Sequence, residues 1–263
     1  MNKLYLNIIA GILVCMLLPY PVSAQTLDLG ITSGMSMSSL DLTRNNKFIP
    51  LSSGLSPLFS YTGGITLNLK LSDRWSFHSE ILFVDKGMRQ VNHEDSLPDN
   101  NAKWYYADLT TRSWDHQYYL HFPQTVRYEF PLDKNDRWFM YFELGGYFAC
   151  YLHSRYVWET TSPILGNHRG VDNFDIIHDA ENVDNAASGP QTTIHRFDWG
   201  GTAGLGFIFT LWKGRFDLNI RYDHDIQPHA ASSEPVKMDS YLEVLSVTVG
   251  YSLPILNKEK KNY

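Results

Sequence analysis

Residues 200–223 read GGTAGLGFIFTLWKGRFDLNIRYD, and the spacing inside this stretch decides the fold. Gly200, Thr202, Gly204 and Gly206 alternate with Ala203, Leu205, Phe207 and Phe209. Side chains of a strand point alternately to its two faces, so a period of two sorts these residues into a small polar row and an apolar row. After residues 212–215 the alternation resumes. One face of this sheet meets a polar environment and the other a greasy one.

The same pattern recurs in both directions along the chain. Residues 27–37 oppose Leu27, Leu29, Ile31, Met35 and Met37 to Asp28, Gly30, Thr32, Gly34 and Ser36. Next, Tyr61, Ile65, Leu67, Leu69 and Leu71 face Thr62, Gly64, Thr66, Asn68 and Lys70, and Trp75, Phe77, Ile81 and Phe83 face Ser76, His78 and Glu80. A fourth segment sets Leu120, Phe122, Val126, Tyr128 and Phe130 against His121, Thr125, Arg127 and Glu129. A fifth, 138–152, sets Trp138, Met140, Phe142, Leu144 and Phe148 against Glu143 and Gly145. The opening stretch supplies the sixth (196–211) and seventh (216–225), and Leu245, Val247, Val249, Tyr251 and Leu253 against Ser246, Thr248, Gly250 and Ser252 complete the eighth. An even number of segments of about ten residues is what a small transmembrane β-barrel requires.

The connections alternate too. Ser72-Asp73-Arg74, 131–137 and 212–215 are short, whereas 38–59, 90–117, 156–195 and 227–240 are mostly longer than the roughly 12–15 residues usual in a compact domain. One rim therefore carries the long loops and the other carries the turns and both ends of the barrel. The short turns lead through SDRW, NDRW and KGRF. Turn chemistry followed by a strand former is the plain account of these motifs. A repeated Arg followed by Trp75, Trp138 or Phe216 fits better with a membrane boundary, the Arg meeting headgroups and the aromatics forming a girdle.

Alternation alone is compatible with a soluble ligand-carrying barrel, which also has eight strands. The glycines favour the membrane alternative. Gly30, Gly34, Gly64, Gly200, Gly204, Gly206 and Gly250 share the polar row, where they make room in a narrow filled interior. That row also holds Glu80, Arg127, Glu129, Glu143, Asp198, Asp217, Arg221 and Asp223, which inside a dry barrel have to pair. The middle of the apolar row carries no Lys or Arg, each of which would cost about 2–4 kcal/mol at mid-bilayer. An interior of eight strands is filled by side chains, so no open pore is expected.

The N-terminus points to export. Residues 1–24 combine Lys3, an apolar run over 8–18, Pro19 and Val22-Ser23-Ala24, the organisation of a cleaved signal peptide, with the barrel domain over 25–263. Cys15 lacks the small preceding residue that lipid attachment needs, since Val14 stands there. Cys150 is then the single cysteine of the exported chain, which has no internal disulfide. The chain has 22 basic and 28 acidic residues; losing Lys3 leaves 21 and 28, a net charge of −7, with no electrostatic footprint for nucleic acid.

LHFPQTVRYEF (120–130), Phe197-Asp198-Trp199-Gly200 followed by Gly204-Leu205-Gly206, and Arg221-Tyr222 together resemble the PorT-type outer membrane β-barrel domain of Bacteroidetes over essentially the whole mature chain. The resemblance implies an eight-stranded outer-membrane barrel and, for some members, a part in protein secretion. Two departures stand out. Phe122-Pro123 replaces the usual Ile-Pro, with Pro123 pointing to a bulge or an irregular strand edge. The charged tail 257–263 follows the last strand where a terminal aromatic is usual, leaving Tyr251 as its stand-in.

A search for chemistry returns little. A lipid A deacylase-like site needs His-x-Ser on one strand, and the sequence has none; the nearest pair is His224 with Glu243 on neighbouring strands near the loop rim. His93, His116, His168, His178 and His195 match no ligand spacing, and Asp172, Asp175, Asp179, Glu181 and Asp184 lack the calcium-loop pattern. Four aromatics of the second long connection, Trp104, Tyr105, Tyr106 and Trp114, need either other loops or a partner to cover them. The expectation is an all-β, eight-stranded antiparallel up-and-down transmembrane barrel with short periplasmic turns and long extracellular loops. It is expected in the outer membrane, non-enzymatic and without cofactor or metal. Its partners would be outer-membrane lipid and other envelope or secretion proteins, with an extracellular ligand or simple bracing of the membrane as the alternative role.

Overall fold

A strand crossing a bilayer has to satisfy every backbone N–H and C=O within the protein, and a sheet does so only by closing on itself. In a computed structural model that describes residues 26–44, 47–49, 55–98, 104–162, 166–175, 192–194, 196–227, 230–232 and 238–257, the sheet closes. The signal peptide assigned to 1–24 lies outside these residues. Twelve strands form among the described residues: β1 (Thr26–Arg44), β2 (Lys47–Ile49), β3 (Leu55–Lys70), β4 (Trp75–Pro98), β5 (Trp104–Pro131), β6 (Trp138–Ser162), β7 (Gly166–Asp175), β8 (Thr192–Ile194), β9 (Phe197–Leu211), β10 (Gly214–Asp225), β11 (Ala230–Ser232) and β12 (Met238–Asn257). Eight are staves, in the order β1-β3-β4-β5-β6-β9-β10-β12, and antiparallel pairing of β12 back onto β1 seals the cylinder. No helix among the described residues is long and apolar enough to cross a membrane.

The faces fall as the alternation demands. Leu29, Ile31, Met35, Tyr61, Ile65, Trp75, Phe83, Phe142, Leu144, Phe207, Val247 and Leu253 lie exposed on the outside, while Thr32, Thr66, Glu80, Arg127, Glu143, Asp198, Arg221 and Thr248 are buried inside. Two glycines show why the interior needs small residues. A Cβ on Gly206 would meet the Tyr141 ring, and one on Gly204 the Glu143 carboxylate, so these positions leave the space that both side chains occupy.

Two expectations need correction. The long connections are largely strand: β4 runs to Pro98 and β5 begins at Trp104, while β6 reaches Ser162 and then pairs with β7 instead of β9. Above the membrane the outer face of a strand is wet instead of lipid-covered, so no continuous greasy row marks these extensions. Arg215 does not meet headgroups. It already belongs to β10, on the face of Asp217 and Asn219, and reaches Glu129 (2.7 Å) and Asp28 (3.6 Å) inside the barrel. Arg74, by contrast, stays exposed and donates to the Tyr128 hydroxyl at 3.1 Å. Pro123 makes the expected strand-edge irregularity on its β4 side, where the pairing lapses between Ser79–Gln124 and Leu82–His121 without a change of register. On the other side it holds its pairing with Tyr147 on β6, and a register shift falls instead between Tyr118 and Tyr119, where β6 carries one extra residue, Leu152.

The turn between β5 and β6 is fastened by Asp133, whose carboxylate accepts from the backbone N–H of Arg137 (2.8 Å) and Trp138 (3.0 Å). The Trp138 bond above all holds this carboxyl below its usual range.

Candidate functional site

The interior is built in layers. At the periplasmic end Phe139, Tyr141 and Ile208 form a small apolar cluster, with the Lys70 ammonium 5.6 Å and the Arg215 guanidinium 5.7 Å from the Phe139 ring. Glu129 anchors both cations, at 3.7 Å from Lys70 and 2.7 Å from Arg215. Above this layer Arg127 bonds Glu143 and Asp217, each at 2.7 Å, and lies 4.3 Å from the Tyr141 ring centre. Asn219 donates to Glu143 at 2.8 Å and to the Tyr141 hydroxyl at 2.7 Å. Arg221 pairs with Glu80 and, at 3.5 Å, with Asp223, while His78 sits 3.0 Å from Glu80. Seven of the eight charges assigned to the polar row, Glu80, Arg127, Glu129, Glu143, Asp217, Arg221 and Asp223, are held in these pairs.

Nearest the outer end, Tyr119, Tyr147, Ala149 and Tyr151 close the lumen. Lys86 is fully buried between two of these rings, 5.1 Å from Tyr119 and 5.0 Å from Tyr147, and Tyr147 donates to Asp225. His121 leans on Tyr147 with 4.5 Å between ring centres. Within the polar middle remains a cavity of about 30 Å³ bordered by Thr32, Asn68, Glu80 and Arg127, room for roughly two water molecules. Such an interior stabilises and seals.

Sequence reasoning placed Glu80, Arg127, Glu129, Glu143, Asp198, Asp217, Arg221 and Asp223 inside, and all eight are there or at its edge. It placed His121 on the inward row as well, but missed Lys86, Tyr119, Tyr141 and Tyr147 as the side chains that seal the lumen with it. The signal for Lys86 was present, since it continues the even-numbered row of His78, Glu80, Leu82 and Val84. For the tyrosines the signal was the spacing alone, since Tyr119 shares the row of His121 and Tyr141 and Tyr147 that of Glu143 and Gly145, while a ring that is greasy by composition reads as lipid-facing.

His224 and Glu243 are indeed cross-strand neighbours, 3.3 Å apart, with Tyr222 donating to Glu243 at 2.7 Å. They lie partly exposed on the outer surface. Among the described residues no group of three His, Cys, Asp or Glu side chains is arranged to hold a metal. His93 lies 3.1 Å from Thr110, His168 is exposed on β7, and His178 and His195 are outside the described residues, as are Asp179, Glu181 and Asp184. His116 pairs with Asp85 at 2.8 Å, and this hydrogen bond raises its pKa above the ordinary imidazole value.

The four aromatics of the second connection occupy one strand. The backbone sets Trp104, Tyr105 and Tyr106 opposite Pro98, Leu97 and Ser96 at the far end of the β4–β5 hairpin. Trp114 stands eight residues further down, roughly 27 Å away at about 3.4 Å per residue, paired with Arg89, whose guanidinium lies 5.9 Å from its ring. The structure therefore separates Trp114 from the other three. Strands β4, β5 and β6 contain 24, 28 and 25 residues against 15 and 12 in β9 and β10. A tilted strand crosses the bilayer in about 9–11 residues, so β4–β7 rise as a wall along one side of the outer rim.

A family model described as an outer membrane protein beta-barrel domain matches residues 23–228. The chain is also similar to solved outer-membrane proteins. OprG from Pseudomonas aeruginosa is 12% identical, with 88% of this chain and 97% of that one covered at a TM-score of 0.42. Ail of Yersinia pestis, in complex with the heparin analogue sucrose octasulfate, is 10% identical, with 87% and 99% covered and a TM-score of 0.34. Neisserial surface protein A is 10% identical, with 84% and 95% covered and a TM-score of 0.32. No curated protein matches the chain.

Proposed function

Because the chain belongs to the outer membrane protein beta-barrel domain family and resides in the cell outer membrane, we propose that it is a non-conducting, non-enzymatic component of envelope assembly or secretion that works through partner contacts on its projecting wall. The observation that carries this reading is the overshoot of three adjacent strands, β4, β5 and β6, by more than ten residues beyond what a bilayer requires. Strand extensions of this length order backbone at an entropic cost that a membrane anchor does not need. The sealed lumen supports the same reading, since it leaves little room for transport. The resemblance to the PorT-type domain adds secretion as the process, and the cleaved leader over 1–24 fits the route to the outer membrane.

Cross-linked, detergent-extracted protein from its own envelope tests the proposal, with co-purifying proteins quantified against a neutral barrel of similar abundance. The expected result is a stoichiometric partner. It is lost when the hairpin tip beyond the Val91–Arg112 pair, with Trp104, Tyr105 and Tyr106, is replaced by Asn-Gly, while the boiled and unboiled forms still migrate differently. Recovery of the full-length protein alone contradicts a subunit role and leaves a stand-alone surface barrel.

A further inference from the structure

Two features of the outer surface that the partner reading does not use lie on the same strands, one above the other. The first is an open groove of about 680 Å³, within the roughly 300–1,000 Å³ typical of ligand clefts. Its floor is Gly146 paired with Gly201, and Phe122, Phe148, Trp199 and Ile226 wall it. The walls are set. Trp199 donates its indole N–H to Gln227 at 2.8 Å, and Phe148 lies between Phe122 (6.4 Å) and Phe197 (5.3 Å). Gln124, the polar neighbour of the floor, has its amide engaged by Ser79 at 2.8 Å. A Cβ added to Gly201 would meet nothing within 4 Å, so the space is real on the lipid side of the sheet.

The second feature is a group of basic side chains directly above, where the apolar band ends. Tyr118 of β5 stacks on Phe83 (5.6 Å) and on His153 of β6 (4.4 Å). One row higher, His116 pairs across the strands with Arg155. Asp85 is committed to His116, and Arg155 is exposed and makes no hydrogen bond or ion pair with the described residues. Beyond Arg155, Arg89 lies over Trp114; Glu159, the next acid outward on β6, stands opposite Arg112. From Gly146 to Arg155 is nine residues along β6, about 30 Å of strand and, at a tilt of about 45°, about 20 Å of depth. One lipid leaflet spans about 15 Å of hydrocarbon plus its headgroup.

We propose that this face seats one phosphorylated lipid of the outer leaflet, with an acyl chain in the Gly146–Gly201 groove and its phosphate on Arg155 and His153. Continuity with the lipid-covered surface selects a lipid tail for the groove, and the exposed cation in the headgroup layer selects an anionic headgroup over a neutral one.

Native mass spectrometry of the full barrel after detergent exchange reads the site directly. The probes are a diphosphorylated, multiply acylated glycolipid and its dephosphorylated form with the same tails. The wild type is expected to retain one phosphorylated lipid about tenfold better than the dephosphorylated one, the scale of a single charge-assisted contact. Arg155→Glu brings the two forms to parity, and Gly201→Leu, which fills the groove, weakens retention of both. Folding of each variant is checked by the shift between boiled and unboiled samples. Equal retention of the two forms by the wild type overturns the proposal, as does wild-type retention in both folded variants. Displacement of the lipid by inorganic phosphate, with no effect of Gly201→Leu, overturns it in favour of a free-phosphate site.

Discussion

Replacing Arg127 by Met removes the central cation of the lumen and nothing of comparable size. Its guanidinium bonds Glu143 and Asp217 at 2.7 Å each, and it is buried, as is the Glu143 carboxylate. The Asp217 side chain keeps 20% of its surface open, so its charge remains partly solvated when Arg127 goes. The cost therefore falls mainly on Glu143, which retains only neutral donors, Thr125 at 3.3 Å and Asn219 at 2.8 Å. Removing one partner of a buried pair costs about 3–5 kcal/mol because the other charge is left uncompensated. With a urea slope of about 2 kcal/mol/M, the unfolding midpoint drops by about 1.5–2.5 M. Adding Glu143→Gln to Arg127→Met removes the stranded charge while the new amide oxygen can accept from Asn219 and its NH2 can donate to the Thr125 hydroxyl oxygen, so at least half of the loss returns. The assay is urea unfolding of the reconstituted barrel, followed by the fraction that migrates as the unboiled form. A single variant within about 0.5 kcal/mol of wild type, the range of ordinary surface changes, refutes the reasoning. A double variant as unstable as the sum of the two singles refutes it equally.

Three further outcomes are expected. His116 has a raised pKa through its bond to Asp85, so its contribution is complete below its unfolded value near 6.5 and is lost as pH rises through the higher folded value. Urea midpoints should therefore fall on the alkaline side of that window in wild type and stay flatter in Asp85→Asn. Gly64→Ala drives a Cβ into the Ile81 carbonyl oxygen of the adjacent strand and should lower stability by about 1–3 kcal/mol or abolish assembly. Gly201→Ala, with open space around it, should leave the midpoint unchanged within about 0.5 kcal/mol. Equal effects of the two glycine substitutions would contradict the assignment of inside and outside.

The staves and their two faces were legible in the sequence because lipid on one side and a packed polar lumen on the other write a period of two. Thr202, Gly204 and Gly206 lie on the lumen side of Ala203, Leu205 and Phe207 for that reason alone. Where lipid ends, the pattern ends as well. Residues 84–98, 104–118 and 152–162 have no lipid on their outer face, bury Lys86, Ser113, Gln117 and Ser154 on the inner one, and hold strand geometry through pairing with their neighbours, which no local spacing records. Bulges compound the difficulty. The extra residue Leu152 exchanges the faces of β6, so that His153 and Arg155 come to the outside beside Tyr118 and His116. Arg215 shows a third limit, because its KGRF motif matches the other turns while its position inside β10 points the side chain into the lumen. The sealing tyrosines were hidden by composition. Tyr141 and Tyr147 bring large rings to inward positions where their hydroxyls find Asp217 and Asp225.

The most direct test of the sealed, charge-paired lumen is single-channel recording of the purified barrel in a planar bilayer. With Tyr119, Tyr147 and Lys86 closing the outer end, Phe139 and Tyr141 the inner end, and a cavity of about 30 Å³ in the polar middle, the protein should insert without discrete conductance steps. Reproducible ohmic steps that scale with inserted protein would contradict the account and make the barrel a channel.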